Sequence, residues 1–211
     1  MPPSITPAQK KLWESKELRD WHTALERYPE AIESKNKKGL VELDTWYREE
    51  LPKAIAGRSP GYLEQGELVK LMEWKLARGK WRPRLVQFVK DLSADMVVKT
   101  TEEALRQMPV IVDPKSPKAG ALPELCKLKG IGPATGSAIL AAAHPQVAPF
   151  MSDEAMAASL PPSTSSDAYS LSRRSTATVL RSGLKAILMV PHDSAGYTSR
   201  TKTEVIHDGF H

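Results

Sequence analysis

The segment Leu128-Lys129-Gly130-Ile131-Gly132-Pro133-Ala134-Thr135-Gly136 sets two glycines around one apolar residue. The residues before it, Ala119 to Leu128, read as a helix, and so do Pro133 to Ala143 after it, with His144-Pro145 closing the second. Together they predict a helical hairpin over 119–144. The glycines permit backbone angles that other residues avoid and keep side chains out of the way. Pro133 suits the first helical position, where a missing N–H costs nothing. Ile131 is expected to plug the gap between the helices, with Leu128, Ala138 and Ile139 packing the pair. Amides at the start of the second helix have no partner within that helix, and the helix dipole favours an anion there. The turn therefore reads as a phosphate cradle built from Gly130, Ile131, Gly132, Ala134 and Thr135, with Lys129 beside it. The competing reading is a plain helical corner whose glycines serve only tightness.

Outward from the hairpin, the rest of the body also reads as helix. Leu12, Leu18, Trp21, Leu25 and Tyr28 recur at near-helical spacing over residues 7 to 33. Thr6 is the expected cap, with Pro7 in the first turn. A second helix is expected from Lys38 to Leu51, ended by Pro52 and the Gly57-to-Gly61 loop. A third spans 63 to 78, with Gly79 as its stop, and a fourth Arg84 to Leu92. A fifth, Thr101 to Gln107, is expected to be capped by Thr100 or Thr101. Residues 109 to 118 hold three prolines and read as a connector. No segment before residue 150 alternates with a period of two, so the fold class is all-α, a helical bundle over 1–160. From Pro161-Pro162-Ser163 onward the chain is rich in Ser and Thr, and residues 161–211 are expected to form a low-order tail.

The 211 residues are 41% hydrophobic, enough for one domain with a core. No apolar run reaches the roughly 18–20 residues of a membrane span, and Met1-Pro2-Pro3-Ser4 does not open a signal peptide. The single cysteine, Cys126, excludes an internal disulfide and a cysteine-rich metal site. The formal net charge of +5 is permissive for nucleic acid. Positive charge concentrates at Lys75, Arg78, Lys80, Arg82 and Arg84, interleaved with Trp74 and Trp81. That segment reads either as a phosphate-contacting, base-stacking surface or as a solvated basic face over core tryptophans. Glu73 and Lys70 are lesser candidates for lining a pocket.

Asp153 lies 21 residues after Gly132, behind Pro149-Phe150-Met151-Ser152. As a carboxylate before Ala155-Met156-Ala157, it also reads as the N-cap of a following helix.

A glycine hairpin followed at this distance by an aspartate resembles the helix-hairpin-helix (HhH-GPD) DNA glycosylase superfamily. That superfamily includes the endonuclease III, adenine-mismatch and alkyladenine glycosylases. The motif region covers roughly residues 119 to 157. Met72-Glu73-Trp74-Lys75 and Arg78-Gly79-Lys80-Trp81-Arg82-Pro83 look most like the Amun-type branch of eukaryotes. The resemblance implies excision of a flipped base from double-stranded DNA, a nuclear location and a monomer. Asp153 would be the catalytic carboxylate, stabilising the cation that develops on the sugar. Lys129, Lys75, Arg78, Lys80 and Arg82 would join the hairpin in holding DNA. Bifunctional members carry a lysine two positions after the second glycine. Here that position is Ala134, which cannot form a Schiff base, so hydrolysis without strand cleavage is implied. One cysteine cannot hold an iron–sulfur cluster, and no cofactor or metal is expected. The alternatives are a DNA-binding protein that has lost turnover, and a helical interaction protein whose hairpin is only structural.

Overall fold

The computed structural model describes residues 6–108, 110–111, 119–153 and 155. Among them there is no strand, and the fold is all-α. No helix of the described residues is long and apolar enough to cross a membrane. The expected tail at 161–211 and most of the expected connector lie outside the described residues.

The N-terminal region forms three helices rather than one: α1 (Pro7–Glu14), α2 (Leu18–Glu26) and α3 (Tyr28–Glu33). Thr6 caps α1 as expected, its hydroxyl accepting from the Gln9 amide. The first break is chemical. The Ser15 hydroxyl donates to Asp20 at 2.7 Å and Trp21 Nε1 donates to the Ser15 carbonyl at 3.2 Å, so side chains take over groups that a helix would use. The second break is Pro29, which cannot donate to the ladder and instead sits in the first turn of α3.

Pro52 does not end the second predicted helix. The chain runs through α4 (Leu40–Thr45), a π segment (Trp46–Glu50) and α5 (Leu51–Ala56). In the π register the Leu51 amide reaches back to the Trp46 carbonyl, one residue further than in an α-helix. Proline has no N–H to give and crowds the carbonyl four residues before it. The bulge just ahead of Pro52 absorbs that defect and turns both Trp46 and Tyr47 into the core.

α6 (Gln65–Arg78) stops at Gly79 as expected and packs against α7 (Pro83–Lys90). α8 (Ala94–Arg106) starts seven residues earlier than expected. Its cap is Ser93, whose hydroxyl accepts from the Met96 amide. Thr101, expected as the cap, is buried inside the helix. Its hydroxyl donates to the Val97 carbonyl and accepts from the Leu63 amide, tying the approach to α6 onto α8.

α9 (Ala121–Leu125) and α10 (Pro133–Ala143) form the hairpin. The second helix has the predicted bounds, whereas the first is shorter than predicted and leads into tight turns through Leu128. α9 rests on α8, and α10 on α5, α6 and α9. Leu128, Ile131, Ala138 and Ile139 are all buried, as the hairpin reading requires. Burying a side chain like Ile131 is worth roughly 1.5–3 kcal/mol. α10 consists largely of small residues because α9 lies close against it. A Cβ at Gly136 would come within 2.6 Å of Leu122 Cδ1.

Candidate functional site

The two hairpin glycines do different work. Gly130 has φ +90°, in the region that side-chain-bearing residues rarely adopt, and a Cβ there would stand 3.0 Å from Phe88 Cβ. Gly132 is extended, with φ −107° and ψ 178°, and a Cβ there would meet nothing within 4 Å. Only Gly130 is thus required by the fold. The expectation that both glycines serve unusual backbone angles holds for Gly130 alone.

The turn's amides divide in the same way. Ile131 donates to the Leu128 carbonyl, and the Thr135 and Gly136 amides both donate to Gly132. The amides of Gly130, Gly132 and Ala134 have no backbone acceptor among the described residues. Gly132 and Ala134 bracket the N-terminus of α10, beside open space. Thr135, read from sequence as part of the cradle, is buried and its amide is already engaged, so it supports the turn from behind. Lys129 holds its ammonium 4.6 Å from the centroid of the Phe88 ring.

This arrangement gives a clean prediction. Gly130→Ala should destabilise the protein by about 1–3 kcal/mol, the cost of a left-handed non-glycine residue. Gly132→Ala should melt within about 0.5 kcal/mol of wild type, as a substitution into open space does. Urea melts of the two variants check the ranking, and equal destabilisation would contradict it.

From the end of α10 the chain turns back through residues 144–148. The Val147 and Ala148 amides both donate to the His144 carbonyl. Partial burial lowers the His144 pKa from its usual value. The returning strand of chain is pinned to the hairpin helix by buried Ser137. This hydroxyl donates to the Ala134 carbonyl at 3.1 Å and accepts from the Met151 amide at 3.0 Å. Phe150 packs against Trp74 with ring centroids 5.4 Å apart. These two contacts set the position of Asp153, two residues on. The N-cap here is Ser152, not Asp153, because the Ser152 hydroxyl accepts from the Ala155 amide at 3.0 Å.

Asp153 and Ser152 face a cleft of about 120 Å³. Its walls bring together Ala134 of the hairpin, Phe150 and Met151, and the predicted basic residues Lys75, Arg78, Lys80 and Arg82. Lys35, from the turn between α3 and α4, completes the cationic wall. Arg84 does not reach the cleft, and neither do Glu73, which pairs with Lys90 at 3.8 Å, or Lys70, which lies over Trp46. Of the two tryptophans in the basic segment, Trp74 is a core residue and Trp81 is 53% exposed.

Behind the cleft lies a buried polar cluster that sequence reading missed. Asp44, 5% exposed, accepts from Tyr28 Oη at 2.9 Å, Trp74 Nε1 at 2.8 Å and Arg78 Nη1 at 3.1 Å. Arg78 also donates to the Tyr28 hydroxyl at 2.6 Å. Burial raises the Tyr28 pKa; the charge of Arg78 opposes this and that of Asp44 adds to it. The phenol thus stays protonated and keeps its donor on the carboxylate. Trp74 stacks on Tyr47 with centroids 3.6 Å apart, and the Tyr47 hydroxyl donates to the Ala138 carbonyl in α10. Arg78 is therefore a cleft residue held from behind, and the same cluster braces the hairpin helix. The available signal was a charge on an apolar stripe, because Asp44 lies one turn from both Leu40 and Tyr47.

Cys126 is partly buried and packs against the core, as expected, and burial pushes its thiol pKa up to about 11. No protein-family model matches the chain, and neither a curated protein nor a solved structure does.

Proposed function

We propose that this protein binds double-stranded DNA through its glycine hairpin and hydrolyses the N-glycosidic bond of a flipped base, with Asp153 as the catalytic carboxylate. One observation carries the reading. Three parts of the chain, Ala134 of the hairpin and residues between Lys75 and Arg82, which the resemblance gives to DNA holding, and Asp153, which it gives to catalysis, line one cleft.

The chemistry follows from these groups. The amides of Gly132 and Ala134, which have no backbone acceptor among the described residues, donate to a backbone phosphate at the N-terminus of α10, where the dipole favours it. A nucleotide turned out of the duplex enters the cleft. As the C1′–N bond lengthens, positive charge grows on the sugar and the Asp153 carboxylate stabilises it. Water adds its oxygen to C1′ and its proton passes to the carboxylate; the base departs with the bonding pair and takes up a proton from water, and the carboxylic acid returns its own proton to the solvent. Ala134 offers no amine at the hairpin, so the reaction ends with an intact backbone and an abasic site.

A second reading, a DNA-holding protein without turnover, is favoured by one observation: Asp153 is exposed at the cleft. In the catalytic reading the bound duplex supplies the missing cover, and the carboxylate then works in a water-poor site. Base release from a panel of duplexes carrying deaminated, oxidised, alkylated or mismatched bases separates the two. Release from at least one substrate is expected, and binding without any release leaves the second reading. Borohydride added during turnover is expected to trap no covalent protein–DNA adduct. An adduct would show that an amine elsewhere attacks the sugar.

A further inference from the structure

The cations in the cleft are not equivalent, and the difference points to a second phosphate site. Among the described residues the lining holds five cations against one carboxylate, Asp153, and all five come from the N-terminal half of the chain. Arg78 is neutralised from behind by Asp44. Lys35, Lys80 and Arg82 make no ion pair among the described residues. All three are exposed, and they arrive from two separate places, the turn before α4 and the loop between α6 and α7. Like charges brought to one concave surface repel, and a cleft focuses their field. Arg58 and Arg106, by contrast, are held by glutamates, Glu67 for the first and Glu102 and Glu103 for the second.

We infer that Lys35, Lys80 and Arg82 form a phosphate-binding site separate from the hairpin amides. This rests on the proposed function and deepens it. The hairpin takes one phosphate of the strand at α10, and the three cations take another, so that the nucleotide between them lies over Asp153. Lys35 is the diagnostic member, because it lies outside both the hairpin and the basic segment. As an exposed side chain with no ion pair among the described residues, it can be replaced without disturbing packing. Flexible lysines suit this task, acting as point charges that tolerate any base at the held position.

The test is duplex binding by fluorescence anisotropy from 50 to 200 mM salt, with wild type, Lys35→Ala, Lys35→Arg, Lys80→Ala/Arg82→Ala and Gly132→Ala. Each phosphate contact contributes about 0.9 to the slope of log affinity against log salt. The site holds one phosphate, so Lys35→Ala and the double variant should each lower the slope, by about 0.9 where that contact is lost whole. The change in affinity across that salt range should then shrink about 3.5-fold per contact removed. Lys35→Arg should restore the wild-type slope. If Gly132→Ala weakens binding while Lys35→Ala leaves the slope unchanged, the second site is wrong and the hairpin reading stands. A parallel arm titrates inorganic phosphate and a nucleoside monophosphate by calorimetry. If wild type binds these but not duplex, and Lys35→Ala abolishes that binding, the phosphate site holds and its ligand is a free phosphomonoester, which defeats the DNA reading instead. Binding of either probe that is indifferent to Lys35, or no binding of any probe, overturns the inference.

Discussion

Replacing Asp44 by alanine should destabilise the fold by about 3 kcal/mol, at the lower end of the range for breaking a buried ion pair. For a chain of this size that is a fall in Tm of roughly 6–12 °C. The carboxylate is almost fully buried and receives three donors. Its loss takes the acceptor from the Trp74 indole N–H and the Tyr28 hydroxyl proton, and removes the Asp44 carboxylate from beside the Arg78 guanidinium. The Arg78 side chain is 23% exposed, so it can turn partly to water, which holds the cost at the lower end. Asp44→Asn keeps an acceptor for Trp74 and loses only the charge, and should cost roughly half as much, since hydrogen bonds to charged groups are worth about 1.5–3 kcal/mol and neutral ones about 1. Replacing Asp44 and Arg78 together by leucine should recover part of the loss, because no buried charge then remains unpaired. Thermal melts of the three variants check this ordering. An Asp44→Ala protein within about 0.5 kcal/mol of wild type would show that the cluster contributes nothing to stability.

Asp44 also marks the limit of what the sequence makes legible. Elements defined by local chemistry can be read directly. The bounds of α10 follow from Gly132-Pro133 at one end and His144-Pro145 at the other, and the stop of α6 from Gly79. Elements decided by competition or by tertiary contact cannot. The periodicity over residues 7–33 is real, yet Ser15 and Pro29 cut it, since a hydroxyl and a missing N–H outweigh spacing. The first turns of α8 contain the β-branched pair Val97-Val98, poor helix formers that are held in place where Val97 is fully buried. The π segment before Pro52 arises from a conflict between a proline and a helix that packing keeps continuous.

The site divides along the same line. The hairpin, Asp153 and the basic segment were each legible as residue types at characteristic spacings. That they share one cleft was not, because their meeting depends on Ser137 holding the Met151 amide and on Phe150 packing against Trp74. Lys35 gave no signal at all. It is an ordinary surface lysine in Ser34-Lys35-Asn36-Lys37-Lys38, and only the convergence of α3 with the end of α6 gives it a place. The hairpin, too, changes meaning once its backbone is seen. Two glycines that look alike in sequence separate into one that the fold requires and one that leaves room at the α10 N-terminus.

Asp153→Asn should lower the rate of base release by about 10²–10⁴, which is the range for loss of a positioned charge or general base. It should leave both stability and duplex binding intact. The expectation of unchanged stability comes from the cap. Ser152, not Asp153, receives the Ala155 amide, so the substitution leaves this cap hydrogen bond in place, and asparagine keeps the size and an acceptor of the aspartate. The expectation of unchanged or slightly tighter binding comes from charge. Among the described residues Asp153 is the only carboxylate lining the cleft, and in the proposed complex removing its charge eases the approach of phosphates. A purely structural role would lower Tm together with activity, whereas a purely electrostatic role in holding DNA would move affinity and leave the single-turnover rate alone. A rate loss at constant Tm and constant affinity fits only a group that acts on the reacting bond. The decisive measurement is therefore single-turnover base release at saturating protein, which removes binding from the comparison. Equal rates for wild type and Asp153→Asn would take Asp153 out of the chemistry and leave the hairpin and the cleft as a means of holding DNA.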